Sequence, residues 1–462
     1  MRSIYMARDS FRNASSTVPI VRSSVRHAAS AEHRSLHAEL DNGDQTVHAE
    51  QMNISPKSKS EITRGRRVLI AHQGCIPIYR KSFYERLNEG TDTEFTVVHG
   101  RAPQGSDLIE ASPPFNFPNI AVSNREFKFF GRSLIWQPVV WRSFRGEFDA
   151  AVIGDEVKFL SNLAIVVALW VSGRPFIFWG FGYHQYDRAR QTRAEKIAEF
   201  IAVRLKALLC RLSSGYLVYT EGGKKALSAG TARPLRIAVL KNTVDTGREA
   251  AYRERVAAET KEQAFHDLGV RSDSVKLLYF GRLVKTKRVN LLVEYASRCQ
   301  HIGRSVDVLI FGQGAEEEIL RSSAAGLRNV RFHKHDDLRL ARALRISSAV
   351  VIPGYVGLAV THGFAHGVPI LTREGQLHSP EVEYIEDNVN GLILPESSEA
   401  FFRALDEFVD DPKLQLRLAQ GAERTASSID MHHMVDTFRG LVSECLAANG
   451  QKRRINKNAA SL

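Results

Sequence analysis

Val275-Lys276-Leu277-Leu278-Tyr279-Phe280 runs directly into Gly281-Arg282-Leu283-Val284-Lys285-Thr286-Lys287. The first half is nearly all apolar, which suits a strand covered on both faces of a sheet. It stops at a glycine, where the chain can turn, and the turn is followed by cations. Outward from it, a helical pattern over 289–299 leads to a second apolar run, Val306-Asp307-Val308-Leu309-Ile310-Phe311, and another glycine loop, Gly312-Gln313-Gly314. The pattern continues with Val330-Arg331-Phe332, a helix over 337–346, the strand Ala349-Val350-Val351-Ile352, a helix over 358–366 and the strand Val368-Pro369-Ile370-Leu371. Strands that alternate with helices and read as continuous apolar runs predict a parallel, doubly wound α/β domain.

The same alternation opens upstream. Val68-Leu69-Ile70-Ala71 reads as a buried strand, followed by the loop His72-Gln73-Gly74-Cys75-Ile76-Pro77 and the strand Glu94-Phe95-Thr96-Val97-Val98. Ala150-Ala151-Val152-Ile153, a helix over 160–171, Pro175-Phe176-Ile177-Phe178-Trp179, a basic helix over about 190–212 and Tyr216-Leu217-Val218-Tyr219 complete a first domain. Ile237-Ala238-Val239-Leu240 is expected to open the second. The reading is of two Rossmann-like domains, 64–232 and 233–428, with a hinge near 230, a helix over 429–448 packing back toward the first domain, and a basic flexible tail over 449–462. Residues 1–63, rich in Ser, Arg, His and Asn, read as a disordered extension.

Composition bounds the function. The 462 residues are 44% hydrophobic and 25% charged, which excludes a fibrous or wholly disordered protein. Lys and Arg number 63 against 51 Asp and Glu, a formal charge of +12, which permits an anionic partner without choosing among nucleic acid, anionic lipid and a nucleotide-linked substrate. Four scattered cysteines, Cys75, Cys210, Cys299 and Cys445, form neither a CxxC pair nor a zinc spacing and point to a reducing compartment. No stretch approaches the about 18–20 apolar residues of a membrane span. The best candidate, Leu163 to Val171, reads instead as a buried element. The start has no secretory pattern, although its Arg and Ser content is that of a transit peptide.

Ligands of open parallel sheets sit at the C-terminal strand ends, and the chemistry-bearing residues collect there. Neither GxGxxG after the first strand nor GxxxxGK[ST] is present. Arg282 and Lys287 are placed to clamp a diphosphate; a solvated basic loop is the alternative. Gly281, Gly312 and Gly314 line the same edge, and Gly354-Tyr355-Val356-Gly357-Leu358 is a glycine-rich turn whose amides can hold phosphate oxygens. His362 is expected to contact nucleotide or sugar; with His366 it lacks the HExxH zinc pattern, so no metal is expected. Glu381 suits a sugar or ribose hydroxyl, with Glu383 and Glu386 as solvated alternatives. On the first domain His72, Gly74, Asp155 and Glu156 form the acceptor side, and His184 joins Arg282 and Lys287 as a catalytic candidate.

Taken together, Gly281-Arg282-Leu283 with Lys287, Gly312-Gln313-Gly314, Gly357-Leu358, Gly367-Val368-Pro369-Ile370, Glu381, Asn390-Gly391 and Asn242 with Asp245-Thr246 resemble the retaining glycosyltransferases of family 4, the glycosyl transferases group 1. The resemblance spans roughly 66–430 and is strongest over 275–395. It implies the two-domain GT-B architecture, a nucleotide-sugar donor held mainly by the second domain, an acceptor on the first, retention of anomeric configuration, and no cofactor or bound metal. Arg282 and Lys287 would neutralise the leaving diphosphate, and Glu381 would lie near the donor. One departure stands out: the family's pair of donor-site glutamates aligns with Gly354 and His362. The expected role is cytoplasmic, in bacterial envelope or exopolysaccharide synthesis, with a saccharide or lipid-linked acceptor. Basic and apolar residues of the helix near 200 would permit docking on the inner leaflet. A sugar-nucleotide epimerase and a non-catalytic polyanion- or membrane-binding protein are the alternatives; no nucleic-acid module is evident.

Overall fold

Two parallel sheets organise the chain. The computed structural model describes residues 65–102, 109–129, 132–182, 193–230, 235–375 and 378–460. All of these lie in one unit, Thr63–Leu462; the expected extension over 1–63 lies outside the described residues.

The first domain carries strands β1 (Arg66–Ala71), β2 (Thr93–His99), β3 (Asn119–Ala121), β6 (Ala150–Gly154), β7 (Phe176–Gly180), β8 (Gly215–Val218) and β9 (Ile237–Val239), in the order β3-β2-β1-β6-β7-β8-β9. A hairpin, β4 (Arg125–Phe129) with β5 (Arg132–Trp136), stands apart from this sheet. Its helices are α1 (Lys81–Leu87), α2 (Val140–Phe144), α3 (Leu160–Val171), α4 (Arg193–Leu212) and α5 (Glu221–Gly230). Side chains alternate across the sheet, as the two-residue strand period requires. Val68, Ile70, Val152, Ile177, Trp179 and Leu217 face one core, and Leu69, Ala71, Ile153, Phe178, Tyr216 and Val218 face the other.

The second domain orders its strands β12-β11-β10-β13-β14-β15, all parallel. They are β10 (Val275–Phe280), β11 (Val306–Phe311), β12 (Val330–His333), β13 (Ala349–Ile352), β14 (Ile370–Arg373) and β15 (Gly391–Leu394). Around them lie α6 (Thr246–Ala257), α7 (Lys261–Leu268), α8 (Asn290–His301), α9 (Glu317–Ser323), α10 (Asp337–Ile346), α11 (Ala359–Ala365), α12 (Ser398–Asp410) and α13 (Pro412–Ala426). This is the doubly wound order with its switch point between β10 and β13.

Three boundaries differ from expectation. Ile237–Val239 closes the first sheet as β9, because an apolar run beside the open edge of β8 gains a full parallel ladder there. The helical pattern that the sequence carries over 249–267 forms two helices, because Thr260 and Gln263 form a reciprocal capping box that starts α7 anew. The expected flexible tail is helical: α14 spans Met431–Ala460. Met434, Val435, Phe438 and Val442 bury its first half in the first domain's core. Farther along, Asn449 and Arg453 donate to the carbonyls of Ser172 and Gly173 just past α3 (2.7–3.1 Å), a favourable place for a cation.

Candidate functional site

The crevice between β10 and β13 receives the two loops that the sequence marks. Tyr279 donates its hydroxyl to the carbonyl of Arg282 (2.7 Å), which pins the turn. The glycine loop after β11 packs against that turn. Leu283 N–H bonds to Gln313 O, and Glu316 N–H to Leu283 O (both 2.9 Å). A Cβ on Gly312 would lie 1.9 Å from the carbonyl oxygen of Gly281. Gly312 and Gly314 thus shape the Arg282 loop from behind.

Lys287 comes from the short 3-10 turn Lys285–Lys287 and reaches across the crevice. Its Nζ donates to Tyr355 O (2.6 Å) and lies 5.1 Å from the centre of the Tyr355 ring. Burial, then the neighbouring Arg282, lowers its pKa to about 8, against the pull of Glu381. Arg282 is likewise lowered by burial. Two cations are therefore held close together in a partly dry site, an arrangement that favours an incoming anion.

The turn after β13 is less open than expected. Tyr355 N–H is taken by Thr286 O (2.8 Å) and Val356 N–H by His378 Nδ1 (3.1 Å). His378, which the sequence reading did not single out, also directs Nε2 to Arg373 O (3.1 Å), so Nε2 carries the proton and Nδ1 accepts. Burial lowers its pKa, consistent with this neutral form. Gly354 has a steric explanation: a Cβ there would stand 2.1 Å from Thr286 O and 2.6 Å from the Lys287 carbonyl carbon. No side chain, glutamate included, fits at 354 while the two loops are this close. Gly357 and Leu358 lead into α11, and Val356 is buried.

His362 on α11 and His366, which caps its C-terminus one turn on, converge on one oxygen of Glu249 from α6. Each approaches Oε2 to 3.3 Å; the His366 contact is a hydrogen bond, and the His362 contact is a close approach without hydrogen-bond alignment. Burial alone would raise the Glu249 pKa, but the two imidazoles reverse this and hold it well below the usual carboxylate range. Among the described residues no His, Cys, Asp and Glu group has metal-site geometry.

Glu381 sits in the 3-10 turn Pro380–Tyr384, is buried, and accepts from Asn242 Nδ2. Glu383, expected to be merely solvated, bridges the domains. It accepts from Thr220 Oγ1 (3.0 Å) and Gly222 N–H (2.9 Å) at the start of α5. The Tyr384 hydroxyl adds a bond to Tyr219 O (3.2 Å).

On the first domain the switch point lies between β1 and β6, and His72 and Gly154 meet there. The His72 ring stacks on Trp179 (3.8 Å, 11°), with Nε2 3.3 Å from the Tyr219 hydroxyl. Burial, and then the charge of Arg80, keeps His72 neutral. Arg80 is itself buried, its guanidinium 4.8 Å over Trp179 and donating to the Tyr219 hydroxyl (3.3 Å). It ends the short 3-10 turn Ile78–Arg80 that leads into α1, where a single buried arginine breaks the apolar pattern rather than following it. Gly74 O accepts from Gly100 N–H (2.7 Å) and Asn124 Nδ2 (2.9 Å). Asp155 is committed internally, to Lys206 Nζ (2.7 Å) and the Tyr216 hydroxyl, and Glu156 pairs with Lys158. Lys206 accordingly points inward and is withdrawn from the basic residues of the helix near 200 that were expected to permit docking. His184 lies outside the described residues.

Residues 260–425 match the family model described as Glycosyl transferases group 1. The match runs from the start of α7 to the end of α13 and includes both loops of the crevice. Solved structures extend the likeness to both domains. HepE of Anabaena, in complex with UDP and glucose, shares 14% identity at a TM-score of 0.55, covering 82% of this chain and 99% of its own. Sucrose-phosphate synthase of Thermosynechococcus elongatus shares 14% at 0.58, covering 83% and 100%. S. aureus TarM, in complex with UDP and α-GlcNAc-glycerol among other ligands, shares 10% at 0.53, covering 81% and 99%. No curated protein sequence matches the chain significantly. Identities this low speak for the fold, which is GT-B: two Rossmann-like domains. The family match and this fold together support a glycosyltransferase.

Proposed function

We propose that the chain is a retaining, metal-independent glycosyltransferase. It moves a sugar from a nucleotide-sugar donor in the β10–β13 crevice to a saccharide or lipid-linked saccharide at the β1–β6 crevice. The observation that carries the reading is Lys287, tied to Tyr355 O at 2.6 Å beside Arg282 and lowered to about 8 by burial. As the bond from the anomeric carbon to the diphosphate breaks, negative charge grows on the leaving oxygen. Cations fixed in advance stabilise that charge more in the transition state than in the ground state. Glu381, on the turn that joins the domains, and neutral His72, on the other side, would border donor and acceptor.

An acceptor at a bilayer is supported by the outer face of the first domain. Trp141 and Phe144 of α2, Val167, Trp170 and Val171 of α3, and Phe200, Leu208 and Leu212 of α4 are exposed. The run at 163–171, expected to be buried, is thus buried on one side only. Arg145 lies 5.2 Å over Trp141 and Arg204 5.0 Å over Phe200, a mixture of aromatics and cations suited to an anionic interface. Among the described residues no helix is long and apolar enough to cross a membrane. We place the protein at the cytoplasmic leaflet, in envelope or exopolysaccharide synthesis.

The test is turnover with a panel of UDP-, GDP- and ADP-sugars and lipid-linked or free saccharide acceptors, starting from UDP-hexoses. The expected outcome is acceptor-dependent transfer that Arg282→Ala abolishes. Conversion of the nucleotide sugar without acceptor would mark an epimerase instead. If no nucleotide binds and Arg282→Ala changes nothing, the transferase reading is wrong.

A further inference from the structure

The donor-site carboxylate missing at 362 has a counterpart in space. Glu249 stands on α6, far from α11 in sequence, yet its Oε2 meets both His362 Nδ1 and His366 Nε2 at 3.3 Å. His366 Nε2 donates to it, whereas His362 Nδ1 stands at the same distance without hydrogen-bond alignment; a carboxylate oxygen can only accept, so at this range it favours a proton over a lone pair on that nitrogen. For His362 this places the proton on Nδ1 and leaves Nε2 as an acceptor. The ring also packs edge-on against Phe280 (5.8 Å, 85°), the residue that precedes the Gly281-Arg282 turn. His362 therefore stands at the root of the cation loop, one quarter of its side chain exposed, while His366 and Glu249 are buried behind it.

We propose that Glu249 is a positioning residue for the donor site: it fixes the tautomer and orientation of His362 so that Nε2 accepts a hydrogen bond from a donor hydroxyl. This inference rests on the nucleotide-sugar reading above. His366 shares the same carboxylate oxygen and braces it from the buried side. Support of a ring nitrogen by a carboxylate on the opposite nitrogen is a general means of fixing an imidazole's role. The hydroxyl comes either from the ribose or from the transferred sugar, and the two sources are separable.

The experiment uses the full chain and its Glu249→Gln, Glu249→Asp, His362→Ala and Glu249→Gln/His362→Ala variants. Affinities for UDP, 2′,3′-dideoxy-UDP and UDP-glucose are measured by calorimetry, and the His362 ring nitrogens are observed by NMR without ligand. The expected result is an Nδ1-protonated His362 in the parent chain. Glu249→Gln and His362→Ala should each weaken binding about tenfold, the double variant no more than either single one, with partial recovery in Glu249→Asp. A loss already present with UDP and absent with the dideoxy compound assigns the ribose; a loss confined to UDP-glucose assigns the sugar. Additive losses, unchanged affinity in Glu249→Gln beside a weakened His362→Ala, or a zinc ion retained at one equivalent would overturn the proposal. The tautomer is read without ligand. An Nδ1-protonated ring in a chain that binds no nucleotide would therefore count against the nucleotide-sugar reading, not against the Glu249–His362 coupling.

Discussion

The two domains share one winding but finish their surfaces differently. In the second, a single continuous core runs from Leu268 to Ile429, and its exposed large apolar residues, such as Ile302, Ile319 and Leu416, are isolated aliphatics. The first borrows α14 from the end of the chain to cover one face of its sheet, and the helices on its other face leave Trp141, Trp170 and Phe200 in the open. Scattered aliphatics need no explanation; exposed aromatics with arginines over them, as at Trp141 and Phe200, do. On the proposed reading, one domain holds a compact anion in its crevice and the other meets an apolar surface.

The most severe way to break this contrast is through the cations. Lys287→Met should lower kcat/KM by about 10²–10³-fold, the usual result of removing one fixed donor to a developing charge. Its pH signature has a definite sign. Burial makes Lys287 release its proton near 8 in the folded chain, against 10.5 in the unfolded one. Between those values the unfolded state holds more protons, so this group's contribution to stability rises with pH. Nucleotide affinity should fall over the same window as the charge is lost. Titration of both quantities checks this, and Lys287→Met should flatten both trends.

Next in size is Gly354→Glu, which places the glutamate that the resemblance implies where an added Cβ would meet Thr286 O at 2.1 Å. It should cost about 1–3 kcal/mol in chemical denaturation and not improve donor binding. Improved binding would show that the loops separate easily and that the crevice is not rigid.

On the first domain, Trp141→Glu with Trp170→Glu should abolish sedimentation with anionic vesicles while leaving UDP affinity unchanged. Parallel loss of both would mean the domains are not separate in function. The smallest effect is expected at their seam. Glu383→Ala removes the acceptor for Thr220 Oγ1 and Gly222 N–H at the start of α5. It should cost about 1 kcal/mol, as for loss of a helix cap, with faster hydrogen exchange at 220–223.

The sequence alone determined the layers. Apolar runs such as Val306–Phe311 can only be buried, and their alternation with helical patterns leaves a parallel sheet as the solution. It also located the crevice loops, because glycine followed by Arg282 and Lys287 past a strand end is a local signal. Tertiary structure decided everything that depends on which distant segments meet. It joined β9 to the first sheet and committed Asp155 to Lys206. It made Gly354 a packing requirement of the Lys287 loop, and it brought Glu249 to His362 and His366. A carboxylate on one helix and imidazoles on another have no shared periodicity. Only the packing of α6 against α11 makes them one site.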